Sequence, residues 1–450
     1  MTSNIVDVVV IGGGFAGVTA ARELTKAGHS VALVEARDRL GGRTFYEHAE
    51  TLGRSVEMGG TWVHWFQPHL WAELTRYGGH LIESVGAAAP EEVIYRTEGV
   101  QKRVSIDEAW PVIEQAMVKY FGELAASAFP RPFEPLFAEH IIKEIDGLSC
   151  QDRIDELDEL SNAQKDILNA MWSLCCGGLA RDGGLATMLR WYALSGNTAS
   201  GIFDTCTRYK INGGTKSLLD AIIADSAATV RLNAAVQSVT TNDGEVVVAL
   251  RGGETVRAHA VVVTVPLNVL ADIDFSPPLA EAKLPAISAG QMCEGVKLWV
   301  RVKTSDRKPL FALAPETETL HYAHTEDIYE DGQLLVVFGP DSTRIADINS
   351  VEEIDPHMKR LLGDHVEVVA VNGKAWKTDE FAKGGWSVYR PNQLSSDLSA
   401  LQQHQPPVFF ASGDIANGWN GFIDGAIETG ITASAAAAEF LRHQLLTTPR

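Results

Sequence analysis

Gly12-Gly13-Gly14-Phe15-Ala16-Gly17 stands between an apolar run and the start of a helical pattern. Spaced as G-x-G-x-x-G in that setting, these residues can hold a pyrophosphate. Gly12 permits a tight turn, Gly14 lets backbone N–H groups approach the phosphates, and Gly17 lets helix and strand pack closely. Phe15 and Ala16 open the helix and sit beside the same phosphates. Glu35 follows where a second strand should end, placed for its carboxylate to accept both hydroxyls of a ribose. Two more glycine sets come next, Arg37-Asp38-Arg39-Leu40-Gly41-Gly42-Arg43 and Glu57-Met58-Gly59-Gly60-Thr61-Trp62. Bare backbone beside a cation suits a long bipartite ligand, with a diphosphate in its middle and a flat ring at one end.

The elements that must position these residues are legible from periodicity. A strand is predicted over Ile5–Ile11, a helix over Phe15–Ala27 and a second strand over Ser30–Val34. Helical spacing returns in Ala109–Leu124 and Gln164–Leu174. Strand patterns follow at Glu245–Arg251, Ala258–Val265 and Val296–Val302, then a buried-type strand at Val408–Ala411 and a last helix from about Gly421 to Leu445. No internal repeat or low-complexity linker separates them, which argues for interleaved domains rather than consecutive ones.

At 450 residues, 45% apolar and 21% charged, the chain has a globular composition and enough length for two or three domains. Its formal charge of −20 argues against nucleic acid as a partner. Five cysteines (150, 175, 176, 206 and 293) without a C-x-x-C pair favour neither a disulfide framework nor a zinc site, and no metal is expected. The Cys175-Cys176 pair reads as buried packing. The Val8–Ala21 stretch lacks a basic flank and is not read as a signal peptide, nor is Leu445-Leu446-Thr447-Thr448-Pro449-Arg450 read as an anchor. A cytoplasmic protein with no membrane contact is the expectation. H-E-x-x-H and G-x-S-x-G are absent from the sequence.

The fingerprint alone does not choose between NAD and FAD. The full set of motifs does. Together with Lys297 in Glu294-Gly295-Val296-Lys297-Leu298-Trp299, and with Phe410-Ala411-Ser412-Gly413-Asp414 and Trp419-Asn420-Gly421-Phe422-Ile423-Asp424-Gly425, the sequence resembles the flavin-containing monoamine oxidase family from residue 5 to about 443. Within it, the chain is most similar to bacterial amine oxidases such as cyclohexylamine oxidase and 6-hydroxy-L-nicotine oxidase. The resemblance implies an α/β (α+β composite) fold in which a Rossmann-like FAD-binding domain, residues 1–78, 206–286 and 392–450, interleaves with a mixed-sheet and helical substrate domain, residues 79–205 and 287–391.

The same resemblance assigns roles. Glu35 would bind the adenosine ribose, Arg43 the diphosphate, the Val236 backbone the adenine and Asp414 the ribityl-diphosphate region. Arg37, Gly42, Gly59, Gly60 and Thr61 would complete the cofactor site. The start of the last helix, near Ile423, would face the flavin pyrimidine ring, where free N–H groups favour negative charge. Trp386 and Phe422 would stand on edge before the flavin as a slot for the amine, and Trp62 would border the substrate. Spacing alone also fits ordinary core aromatics there. The family more often has tyrosine where Phe422 stands. Lys297 would reach flavin N5 through a water and assist reoxidation, although the pattern alone equally fits a solvated lysine. Gly385 replaces the cysteine to which mammalian-type members attach flavin, so the FAD is expected to be non-covalent.

The implied reaction is oxidation of a small hydrophobic amine, alicyclic or arylalkyl and primary, to an imine that water hydrolyses, with oxygen becoming hydrogen peroxide. A secondary amine of the nicotine-catabolic type is the rival substrate. A non-catalytic binding module, like the Rab GDP-dissociation inhibitors, is the rival of another class, and an amine dehydrogenase with a protein electron acceptor is a third reading. An amino acid oxidase would need a cation for the substrate carboxylate, and Arg390 is the candidate. The expected partners are the amine and oxygen, with a homodimer left open.

Overall fold

Val8-Val9-Val10-Ile11 is a continuous apolar run because its strand is covered on both faces. In the computed structural model, which describes residues 5–242 and 244–447, strand Val6–Ile11 pairs in parallel with Val31–Val34 on one side and Thr255–Val263 on the other. Helix Phe15–Lys26 makes the crossover between the first two. Residues 1–4, 243 and 448–450 lie outside the described residues, and with them the end of the tail that the sequence does not read as an anchor.

The sheet built on this unit has eight strands. Asp274–Ser276, Val236–Asn242 and Glu245–Leu250 extend it beyond Thr255–Val263, Thr229–Arg231 closes the other side, and Val408–Phe410 pairs with Thr255–Val263. Three separated stretches of chain therefore share one sheet. The last helix, Ile423–Thr447, packs with Phe15–Lys26 through Val18, Ala21, Ile427, Ala433 and Ala437.

A second, seven-stranded sheet runs in the order Glu367–Lys374, Val296–Lys303, Gly332–Gly339, Tyr322–Tyr329, Leu310–Leu313, Glu92–Thr97, Val100–Ser105. Val296, Leu298, Val300 and Val302 face helix Val351–Leu362, meeting Ile354, Met358 and Leu361. The opposite face carries Trp299, Phe311, Leu313, Tyr322, Val336 and Phe338, which join the core of the helical block. The alternation along Val296–Lys303 is as the pattern predicts, but its second face is buried too.

Helical residues 109–121 belong to a helix that starts earlier than periodicity suggests, at Ile106, because the Ser105 hydroxyl caps it by accepting the Glu108 N–H at 3.3 Å. Ser161 and Gln164 form a reciprocal capping box that starts the helix Asn162–Cys176. These helices and Leu185–Leu194 roof the inner face of the second sheet.

Candidate active site

Between the two sheets runs an elongated cavity, walled at one end by Ile11 to Ala16, Glu35 and Val236 and at the other by Trp62, Trp191, Tyr322, Phe338, Trp386 and Phe422. The first wall is bare backbone. A Cβ on Gly17 would lie 1.9 Å from the Gly12 carbonyl oxygen, so only glycine lets the helix sit this close to the strand. Gly14 caps the helix without a side-chain hydrogen bond, and its first turn holds no acidic residue, leaving early N–H groups for a ligand. Glu35 is buried. One oxygen accepts the Gly13 N–H at 2.6 Å and the other the Arg37 N–H at 2.9 Å, leaving lone pairs for hydroxyl donors. The Arg37 guanidinium, at the same end, pairs with Asp379.

Gly41, Gly42, Gly59 and Gly60 continue the backbone wall, with Thr61 beside them. Arg39 pins the first glycine turn, donating to the carbonyls of Leu40, Thr44 and Gly42 at 3.1 Å each. Arg43 stands midway along the cavity. It donates to the Gly385 carbonyl at 3.0 Å and to Asp414 Oδ1 at 2.5 Å. The other oxygen of Asp414 accepts the Leu267 N–H at 2.8 Å. One sequence expectation needs correction here: Asp414 is fully enclosed and stands behind Arg43, while Ser412 and Gly413 form the wall itself. Gly17 acts by packing, as its place in the motif predicts, one step back from the lining.

The aromatic end is assembled by long-range contacts. Gly421 has φ +82°, and a Cβ there would lie 2.4 Å from the Ser387 carbonyl oxygen. This close crossing sets Trp386 and Phe422 on adjacent backbones at the cavity. The Trp386 indole donates to the Cys175 carbonyl at 2.8 Å and meets Phe338 edge-on. Phe422 meets Trp191 and Trp419 edge-on, with ring centroids 4.8 and 5.0 Å apart. Ile423 lines the cavity, whereas its neighbour Asp424 turns away to accept the Leu70 N–H at 2.9 Å.

Lys297 is buried at the cavity wall rather than solvated. Its ammonium donates to the carbonyls of Glu57 and Gly59 at 2.9 Å each and to the Thr61 hydroxyl, and lies 4.9 Å from the Trp62 ring centroid. Burial pushes its pKa down to about 7, against the pull of the Glu57 carboxylate. Lys210, buried and paired with Glu326, is pushed down to about 7 in the same way.

Sequence reasoning missed several lining residues. Tyr322 and Phe338 reach the cavity through strand register, which no local pattern reveals. Cys175 and Cys206 line it as well, so only Cys176 of the adjacent pair is plain packing, 3.9 Å from Cys150. His64 is enclosed by Trp65, Phe66 and Tyr209, accepts the Phe66 N–H, and lies off the cavity. Arg390 does not reach the cavity either, so among the described residues the aromatic end offers no guanidinium to a substrate carboxylate.

Residues 15–438 match the family model described as flavin-containing amine oxidoreductase. The chain is 40% identical over 446 residues to a pseudooxynicotine dehydrogenase of Pseudomonas sp., covering 98% of this chain and 88% of that one. It is 37% identical over 435 residues to a nicotine dehydrogenase of Pseudomonas putida, covering 97% and 89%. Its fold matches that of cyclohexylamine oxidase from Brevibacterium oxydans with a TM-score of 0.79 at 23% identity, covering 98% of this chain and all of that one.

Proposed function

Since the chain belongs to the family of flavin-containing amine oxidoreductases, we propose that it is an FAD-dependent amine oxidase with a substrate of the nicotine-catabolic type. Membership sets aside the non-catalytic binding module. The observation that carries the finer reading is the convergence of Lys297, Trp386 and Phe422 on the end of a cavity whose other end is a phosphate-type glycine wall. That wall fits FAD: Glu35 would take the ribose, the Arg43 guanidinium the diphosphate, and the bare glycines the edge of the ring system.

When bound, the flavin accepts the hydride equivalent from the carbon bearing the amine. The chain supplies the rest. Trp386 and Phe422 present ring faces that orient the amine, and Trp191 and Trp419 hold Phe422 in place. Among the described residues no carboxylate lines the aromatic end, so a substrate ammonium entering it loses hydration without gaining a counter-charge. Desolvation thus favours the neutral amine, the form that can be oxidised. Lys297 places a proton-bearing group at the wall, fixed by three acceptors, where it assists reoxidation by oxygen with release of hydrogen peroxide.

Two observations support non-covalent attachment. Gly385 has no side chain to offer. The nearby Cys293 thiol, whose Sγ would lie 2.5 Å from a Cβ on Gly385, is pushed by burial up to about 12 and stays protonated. The nicotine-type substrate is preferred to a simple alicyclic or arylalkyl primary amine because of the relatives at 40% and 37% identity. Competition settles the choice: steady-state oxygen consumption with a pyridyl-bearing secondary amine and with cyclohexylamine. The reading requires the larger kcat/KM for the former, and the reverse order would restore the simpler amine.

A further inference from the structure

The turn 416–420, which leads into Gly421 and Phe422, is held by two charged side chains that stand behind the cavity wall. Arg190, on the helix Leu185–Leu194, is 1% exposed. Its Nη2 donates to the Ala416 carbonyl at 2.9 Å and to the Gly418 carbonyl at 2.5 Å, and its Nε donates to the Gly418 carbonyl at 3.2 Å. Facing it is Glu428, on the second turn of the last helix. One carboxylate oxygen accepts the Asn417 N–H at 2.8 Å and the other the Gly418 N–H at 2.9 Å. Gly418 is thus gripped at its carbonyl by a cation and at its N–H by an anion, from two different helices.

Filling space does not require a guanidinium here. Burial pulls the Arg190 pKa down to about 10, with Tyr389 and Glu428 opposing the shift, so the group stays charged at neutral pH. Hydrogen bonds from a charged group are stronger and more directional than apolar contacts, so this pair fixes where Gly418 sits. The neighbour of Arg190 carries that position to the site. Trp191 donates from Nε1 to Asn420 Oδ1 at 3.3 Å, meets Phe422 edge-on and lines the cavity. Trp419, the other ring against Phe422, is anchored by its own N–H on the Phe66 carbonyl at 2.8 Å. Two adjacent residues of one helix therefore hold the base and the tip of the turn that ends in Phe422.

We propose that Arg190 is a positioning residue for amine oxidation: with Glu428 it grips Gly418 from both ends and so holds the Phe422 ring at the spacing from Trp386 at which the amine meets the flavin. The proposal rests on the amine-oxidase reading above and gives that site a residue outside its lining. A displacement of about 1 Å in a group that orients a substrate can cost on the order of a hundredfold in rate, so a grip one turn away from the ring is felt in the reduction step. The cofactor wall of Gly12 to Ala16, Glu35 and Arg43 lies on other elements and does not depend on it.

The test separates the two half-reactions of the flavin-loaded enzyme: anaerobic reduction by a pyridyl-bearing secondary amine, and reoxidation by oxygen after reduction with dithionite. Arg190→Met should lower the limiting rate of flavin reduction by about tenfold or more, while reoxidation and the dissociation constant for FAD stay within about twofold. Arg190→Lys, which keeps the cation, should recover part of the reduction rate. Glu428→Gln, with one acceptor oxygen for two N–H groups, should shift it in the same direction. The double variant should lose less than the product of the two single losses, because both residues act on Gly418. Equal loss in both half-reactions, loss of FAD, an unchanged reduction rate in Arg190→Met, or a lysine variant no better than the methionine one would overturn the proposal. If Arg190→Met does not fold, Arg190→Lys and Glu428→Gln decide by the same split. A wild type that no amine reduces would overturn the amine-oxidase reading as well, an outcome distinct from wild-type reduction that the variants leave untouched.

Discussion

The guanidinium of Arg43 meets the carboxylate of Asp414 at 2.5 Å across 371 positions of sequence, and Asp414 is fully enclosed while Arg43 keeps one face on the cavity. The carboxylate fixes the direction of the cation and neutralises it when the ligand is away. Removing Asp414 leaves a partly buried cation unpaired, at a cost of about 2–3 kcal/mol. Asp414→Asn should lower the melting temperature and raise the dissociation constant for FAD by about tenfold or more. Titration of the apoprotein, followed by flavin fluorescence, measures this, and an unchanged constant would remove Asp414 from the cofactor site.

Lys297→Met should slow flavin reoxidation far more than flavin reduction by the amine, as measured by separate anaerobic and aerobic stopped-flow experiments. Equal loss in both half-reactions would assign Lys297 to structure alone. The buried ammonium also predicts a sign for pH dependence. With the folded pKa lowered to about 7, the unfolded chain binds the extra proton between about 7 and the ordinary lysine range. The contribution of Lys297 to stability therefore rises with pH through that window, and the cost of burying its charge is fully present below it. Urea melts of wild type and variant at pH 6 and 9 should show Lys297→Met gaining relative stability at the lower pH.

Gly421→Ala should destabilise the fold by about 3 kcal/mol, since alanine would be strained at φ +82° and its methyl would lie 2.4 Å from the Ser387 oxygen. Because that crossing sets Trp386 beside Phe422, amine oxidation should fall even where the folded protein can be isolated. Wild-type kcat/KM in that variant would show that the slot does not depend on the crossing.

Acid precipitation should leave the yellow colour in the supernatant, because Gly385 offers no thiol and Cys293 stays protonated. Flavin remaining in the pellet would show a covalent bond and require another nucleophile.

Much of the cofactor end was legible in the sequence because its chemistry is local. Gly12, Gly14, Gly17 and Glu35 lie on one strand–helix–strand unit, and their spacing dictates their geometry. The face of Lys297 also followed from alternation, but its burial did not, since that depends on strands Glu367–Lys374 and Gly332–Gly339 flanking it. Asp414 was seen as part of a motif, yet only tertiary packing shows it behind Arg43. Tyr322, Cys175 and Cys206 carry no local signature, because strand register, the end of the helix Asn162–Cys176 and the π-helical turn Asp204–Arg208 bring them to the cavity. Ser105 shifted a helix start by a capping bond that hydrophobic periodicity does not register.

Anaerobic titration of the flavin-loaded protein with primary and secondary amines, followed by readmission of air, probes the amine-oxidising site itself. A pyridyl-bearing secondary amine should bleach the flavin absorbance stoichiometrically, and air should restore it with formation of hydrogen peroxide. If every amine leaves the spectrum unchanged, Trp386, Phe422 and Lys297 do not form an amine-oxidising site.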